Sequence, residues 1–392
     1  MYLDYAATTP PYDEVVETMA EVMRTYYGNP SSLHRAGADA EQLLKQSRGV
    51  IAECLQCRAD AIRFTSGGTE SNNLAIQGAA ERYRHRGMHL ITSVIEHASV
   101  YETFRHLEKR GYEVTYLPVD ETGQVSLEDL RDALREDTIL VSIMAVNNET
   151  GRIQPIREIG QMLKESAPRV LFHVDAVQAV GKLDLQPASL TIDLMSGSAH
   201  KLRGPKGAGF LYCREGLELQ PLLWGGGQEK GLRSGTENVP AIVGMAKAMR
   251  IAYGQRETFL EHTARLRAYW VQAIQEMPEL QVSGSPDASG MAPYILHFSY
   301  PGMKSEVIVH ALEKHDIYVS TRSACSSGTE KPSRVLQAMG YSNERALGGI
   351  RISYSLEQSL DDASRFAGIL RQVVTELKPS LPQSYQTRHR RR

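Results

Sequence analysis

From Tyr12 to Gly254 the sequence keeps switching between two periodicities, and that alternation restricts the possible fold more than any other feature. Apolar runs at 62–64, 90–94, 114–117, 138–146, 170–174, 192–195 and 209–212 have strand length, and each is bounded by loop chemistry. Between them lie helical patterns, such as those at 127–134 and 156–163. Ahead of them Val15, Val16, Met19, Val22, Met23 and Tyr26 recur at the spacing of an amphipathic helix. Strands alternating with helices predict an α/β fold built on a mainly parallel sheet covered on both faces. Ligands of such sheets sit beyond the carboxyl ends of the strands, so the polar residues just after each run are the ones to read for chemistry.

A different pattern begins near Arg256. A long helix is expected at 259–277, then strands at 280–282, 294–299, 317–319 and 350–354, with helices at 305–314, 332–339 and 360–377. The chain thus divides into a large domain at 12–255 and a smaller α+β domain at 256–380 that the segment 1–11 joins, with a flexible basic tail at 381–392. Charged residues make up 23% and hydrophobic residues 42%, the mixture of a globular protein. The formal net charge of −2 gives no global field for nucleic acid or an anionic membrane, so neither is expected as a direct partner. The opening Met1-Tyr2-Leu3-Asp4 is not a charged region followed by an apolar one, and no apolar run reaches membrane-span length. Four cysteines are too sparse for a disulfide framework, and a cytoplasmic setting with reduced thiols is expected.

Several strand ends carry candidate chemistry. The stretch Phe64-Thr65-Ser66-Gly67-Gly68-Thr69 leads from a strand into a helix. Its glycines let the backbone approach an anion, and the helix start offers free N–H groups. A tight turn with an N-cap fits the same residues. Asp175 ends an apolar run, where a carboxylate is costly unless paired; a protonated pyridine nitrogen would pair it, and so would the start of the next helix. Lys201, with Ser198 and His200 beside it, sits among small residues where its amine can be desolvated into a nucleophile, although a surface turn with Lys201 and Lys206 reads equally well.

Cys325 lies in the polar loop Ser323-Ala324-Cys325-Ser326-Ser327-Gly328, where a thiolate is reachable and Arg322 would favour it; an incidental cysteine fits too. His97 falls at the ligand edge after the 90–94 run, able to stack or to shuttle protons, or simply to start a helix. Arg351 on an apolar strand requires a carboxylate, from a ligand or from a structural ion pair. Cys54 and Cys57 match CxxC, but they lie near the end of a helical pattern at 41–55 and no second pair completes a zinc site, so no metal is expected.

Together these residues resemble the cysteine desulfurases, within the class V aminotransferase group of fold type I pyridoxal-phosphate enzymes. The likeness runs from Tyr2-Leu3-Asp4-Tyr5-Ala6-Ala7-Thr8-Thr9-Pro10 through Gly28-Asn29-Pro30, the turn at 65–73, Glu96-His97, Asn147-Asn148-Glu149, His173-Val174-Asp175-Ala176, Arg233-Ser234-Gly235-Thr236 and Ser323-Ala324-Cys325 to the strand bearing Arg351. The resemblance implies pyridoxal 5′-phosphate carried on Lys201, with Asp175 at its ring nitrogen and His97 stacked on the ring. It implies a phosphate cradle of Gly68, Thr69, Ser198 and His200, with Thr236 supplied by the other subunit of a homodimer. It places Asn148 and Gln178 at the ring hydroxyl, Asn29 and Arg351 on the carboxylate of an L-cysteine substrate, and Cys325 as the nucleophile.

The implied reaction yields L-alanine and a persulfide on Cys325, passed to a sulfur-acceptor protein that builds iron–sulfur clusters or thiolates tRNA. Many relatives have Gly-Ser-Ala-Cys where this chain has Arg322-Ser323-Ala324-Cys325. Arg322 and Lys331 point to the tRNA-thiolation branch. A selenocysteine lyase, a small-amino-acid aminotransferase and a non-catalytic scaffold of a sulfur-transfer complex are the alternative readings.

Overall fold

A computed structural model of the chain describes residues 1–321 and 332–378. Cys325, Arg322, Lys331 and the tail 381–392 lie outside the described residues. The apolar runs form β1 (Ile62–Thr65), β2 (His89–Ser93), β3 (Glu113–Leu117), β4 (Thr138–Met144), β5 (Leu171–Asp175), β6 (Leu194–Ser198) and β7 (Gly209–Cys213). They join in one seven-stranded sheet of order β1-β7-β6-β5-β4-β2-β3. β2, β3, β4, β5 and β6 pair in parallel, while β7 runs antiparallel to both of its neighbours.

Every residue of β2, β4, β5 and β6 is buried, which is why these strands read as unbroken apolar runs rather than as alternating ones. Successive side chains still face opposite ways. Leu90, Leu140, Leu171 and Leu194 pack with Leu74, Ala79 and Phe104 of the helices Gly68–Tyr83 and Ala98–Lys109. Their neighbours Ile91, Val141, Phe172 and Met195 pack on the other face with Ile51, Ile159 and Met245 of the helices Arg35–Leu55, Ile156–Ser166 and Val239–Gly254. The mainly parallel sheet with helices on both faces is the fold expected of the alternating pattern.

The later part of the chain forms an antiparallel sheet of β8 (Gln281–Val282), β9 (Ile295–Ser299) and β10 (Gly349–Ser353). Its core is separate, with Trp270 of the helix Arg256–Gln275 packed edge-on against Tyr354 at 4.4 Å and against Phe366 of the helix Leu360–Leu377 at 5.8 Å. Leu3 belongs to this core. The strand expected at 317–319 is not continuous. Tyr318 bridges Tyr2 and Ser320 bridges Arg351, so the segment divides its backbone bonds between the N-terminus and β10. The helix expected at 332–339 is limited to Arg334–Ala338, capped by the Ser333 hydroxyl. Among the described residues no helix is long and apolar enough to cross a membrane.

Glycines allow the sheet edge to close around the turn after β1. A Cβ on Gly209 would fall 2.5 Å from the Gly67 Cα and 2.7 Å from the Gly197 carbonyl oxygen, both backbone atoms. Gly209→Ala is therefore expected to destabilise the protein by about 1–3 kcal/mol, as overpacking does. The measurement is the denaturant midpoint, and a wild-type value would contradict the close approach.

Candidate active site at the carboxyl ends of the strands

One cleft opens where the parallel strands end, and five separate strand ends supply it. The turn after β1 contributes Gly68 and Thr69, the residues after β2 contribute His97, and those after β4 contribute Asn148. β5 ends in Asp175 and leads to Gln178, while β6 ends in Ser198 and leads through a short 3-10 turn to His200 and Lys201. Arg351 arrives from β10 of the other sheet. These ten residues, all singled out in the sequence, line the same cleft.

At the first strand end Gly67 has φ +152°, a conformation that favours glycine. A Cβ on Gly68 would meet the Val177 Cγ2 at 2.6 Å. The backbone thus lies close to the floor of the cleft, and the helix Gly68–Tyr83 starts there with the free N–H groups that suit an anion.

Asp175 is 5% exposed, and its charge is compensated by neutral donors. Asn72 Nδ2 donates to one carboxylate oxygen at 2.8 Å and the Val177 N–H to the other at 3.0 Å. Asn72 Nδ2 also donates to the Ser99 hydroxyl at 2.9 Å, and Ser99 Oγ lies 2.8 Å from His97 Nδ1. Because the Ser99 N–H donates to that same Nδ1 at 3.2 Å, Nδ1 is an acceptor and the neutral ring carries its proton on Nε2. Burial lowers the His97 pKa; Asp175 opposes this, and Lys201 and Arg334 add to it. The imidazole is thereby kept neutral and oriented.

Lys201 Nζ donates to the carbonyls of Ala6 at 2.5 Å and Ala7 at 2.6 Å, so the N-terminal segment forms the wall behind it. His200 Nδ1 lies 3.2 Å from the Thr8 hydroxyl, and burial, reinforced by the neighbouring lysines, pushes its pKa down to about 4. Gln178 Nε2 donates to the Ala6 carbonyl at 2.9 Å, while its Oε1 is buried without a partner. Arg351 is 1% exposed; its guanidinium donates to Asp4 Oδ1 at 2.7 Å and to the Asn148 carbonyl at 2.8 Å, and its Nε has no partner among the described residues. An amide oxygen and a guanidinium N–H of two residues that line this cleft thus lack a partner among the described residues.

Asn29 lies outside it, as does Thr236, which is expected to serve the other subunit. Asn29 is exposed, and its side chain accepts from the Ser31 N–H at 2.9 Å in the loop before the helix Arg35–Leu55. Within this chain it stands apart from the cleft that Arg351 lines. Thr236 is exposed beside Ser66 and Glu237 in a different groove. Cys54 and Cys57 are free, and burial pushes both thiols up to about 11. Among the described residues no group of three or more His, Cys, Asp or Glu side chains is placed to hold a metal ion.

Asn72, Ser99 and Asp4 were not singled out as site residues. Asn72 had a readable signal, since it falls one helical turn after Gly68 on the same face. Asp4 had none, because its partner is Arg351.

Comparison with known proteins adds family relationships. The aminotransferase class-V family pattern matches residues 1–366. The cysteine desulfurase IscS of Dictyoglomus turgidum is 42% identical over 383 residues, covering 97% of this chain and 96% of that protein. A NifS-like protein of known structure is 38% identical, with a TM-score of 0.90 over 96% of this chain and all of that one. The structure of SspA in complex with cysteine is 37% identical, with a TM-score of 0.78 over 90% of this chain and 98% of that one.

Beside His97, Glu96 is buried with its carboxyl in the protein interior. Oε1 accepts from the Ser93 hydroxyl at 2.6 Å and the Met144 N–H at 3.0 Å, whereas Oε2 has no partner. Burial outweighs those bonds and pushes the pKa up to about 8. A carboxyl with a raised folded pKa stabilises the fold fully below its unfolded value, and this advantage is lost as pH rises through about 8. Relative to Glu96→Gln, the wild type should lose on the order of a few kcal/mol between about pH 5 and pH 8. Denaturant midpoints at the two pH values measure this; parallel profiles would refute it.

Proposed function

Because this chain belongs to the aminotransferase class-V family and is a cysteine desulfurase, we propose how its own residues divide the work of moving sulfur from L-cysteine. The observation that carries the reading is the convergence of Lys201, Asp175, His97 and the Gly67-Gly68-Thr69 turn on one cleft. Those residues fit pyridoxal 5′-phosphate. A helix start beside close-packed glycines, with Ser198, His200 and Thr69, suits its phosphate. The buried carboxylate of Asp175 suits a protonated ring nitrogen, and the unpartnered Oε1 of Gln178 suits the ring hydroxyl, with Asn148 beside it. When bound, the cofactor supplies an electron sink that stabilises charge on the substrate carbon and weakens the neighbouring carbon–sulfur bond.

The protein's part is to hold, orient and move protons. Lys201 would hold the cofactor, and its amine would take and return a proton at the substrate α carbon. His97, neutral and with its proton on Nε2, would pack against the cofactor and move a second proton. Arg351 binds the substrate carboxylate through the donor that Asp4 and Asn148 leave open. Cys325 is the nucleophile. Its thiolate attacks the substrate sulfur, an S–S bond forms as the Cβ–S bond breaks, and the electron pair and a proton end on Cβ. The enzyme sulfur is oxidised to a persulfide, the carbon is reduced, and L-alanine leaves.

Residues 12–255 act as the cofactor-binding domain, with 1–11 and 256–380 as the domain that brings Arg351 and Cys325; the separate core containing Leu3, Trp270 and Phe366 supports that division. Thr236, which lines a separate groove with Thr65 and Ser66, serves the cofactor phosphate of a second subunit. Exposed Tyr27, Leu33 and Trp224 support such a homodimer. The acceptor is a cluster scaffold or a tRNA-thiolation enzyme, and Arg322 and Lys331 are the residues that favour the second.

Cys325→Ala is expected to lower alanine formation from cysteine by at least about a thousandfold while the yellow cofactor absorbance persists. Unchanged turnover would refute the nucleophile. Lys201→Ala is expected to lose the absorbance of covalently held cofactor. For the acceptor, labelled sulfur on the enzyme is offered to a purified cluster scaffold and a tRNA-thiolation enzyme; exclusive transfer to the scaffold would overturn that assignment.

A further inference from the structure

A second cavity lies on the far side of Lys201. Ala6 and Lys201 line both it and the cleft, and its other walls come from Lys182 after β5, Arg203, Tyr294 and the residues that follow β10. Among the described residues its lining contains the basic side chains of Lys182, Lys201 and Arg203 and no acidic one. Arg203 is compensated, since it pairs with Glu357 at 2.5 Å and lies over the Tyr12 ring at 4.2 Å. Lys182 makes no ion pair among the described residues. Its ammonium stands 4.7 Å from the centre of the Tyr294 ring. That ring is fixed by its hydroxyl, which donates to the Gln178 carbonyl at 2.9 Å, and by Phe259 at 5.4 Å.

Other titratable groups facing this cavity carry no opposing charge. Burial raises the pKa of Tyr5, Tyr12, Tyr294 and Tyr354, keeping the phenols neutral. Burial likewise keeps His200 neutral. Asp175 is on the cleft side, held by Asn72 and the Val177 N–H. The two lysines feel each other: burial, with the Lys201 charge adding to it, lowers the Lys182 pKa to about 7.

We propose that Lys182 is a positioning residue that sets the protonation of Lys201, its ammonium on the Tyr294 face making a second positive charge in the acid-free cavity unfavourable. Lys201 then rests as the neutral amine that can bond a carbonyl and later accept a proton. The inference rests on the reading of Lys201 as the cofactor-bearing lysine. It adds to it a residue that touches neither substrate nor cofactor and acts through charge alone.

The test is the pH midpoint of the visible absorbance of the holoenzyme, which follows the proton on the nitrogen joining Lys201 to the cofactor. Lys182→Met is expected to raise that midpoint by roughly one unit, a tenfold gain in proton affinity. Lys182→Arg, which keeps the charge, should leave it at or below the wild-type value. Lys182→Gln provides a second neutral variant with the same expected rise, should Met disturb the Tyr294 contact. Borohydride reduction and peptide mapping run beside the titration. Cofactor fixed on Lys201 with an unmoved midpoint in the neutral variants overturns the role of Lys182 alone. Cofactor fixed on another lysine overturns the Lys201 reading and this inference with it.

Discussion

Strands buried on both faces leave polar chemistry one outlet, the edge at which they end. β4, β5 and β6 have no exposed residue, so any charge within them must be compensated inside the protein. His173 shows what the interior permits: it bonds the Ser142 and Ser196 hydroxyls at 2.8 and 3.0 Å, and burial drives its pKa down to about 3. Two residues later the strand reaches the cleft, and there Asp175 exchanges bulk water for Asn72 and a backbone N–H. The position of the site follows from the sheet.

The N-terminal segment ties the two cores to that edge. Leu3 bonds the Tyr318 carbonyl and packs in the smaller core, Asp4 pairs with Arg351, and the carbonyls of Ala6 and Ala7 hold Lys201 and Gln178. Thr9 accepts from the Arg203 N–H at 2.8 Å and donates to the His200 carbonyl at 2.7 Å. Within a few residues the chain therefore touches both cavities that flank Lys201. A buried guanidinium without Asp4 would be an uncompensated charge, which makes this short segment part of the site's electrostatics.

Charge is distributed by side. Neutral donors and a neutral imidazole surround Asp175, so its negative charge is the one a ligand meets at the floor of the cleft. Behind Lys201 the balance is the reverse, with basic side chains and phenols and, among the described residues, no lining acid. Lys201 stands between these two environments, lining both the cleft that holds Asp175 and the cavity behind it.

The sequence alone determined the sheet and the residue types at its ends, because strand and helix periodicities are local and burial on both faces is written as continuous apolar runs. It also carried the family likeness, since the motifs lie in order along the chain. The tertiary structure decided the partners. Asn72 meets Asp175 across 103 residues, Lys201 meets Ala6 across 195, and Asp4 meets Arg351 across 347. No local pattern encodes such pairs; each exists because loops of unrelated sequence bring strand ends together. The same physics excluded Asn29 and Thr236 from the cleft of their own chain and broke the strand expected at 317–319, whose bonds the N-terminus had taken.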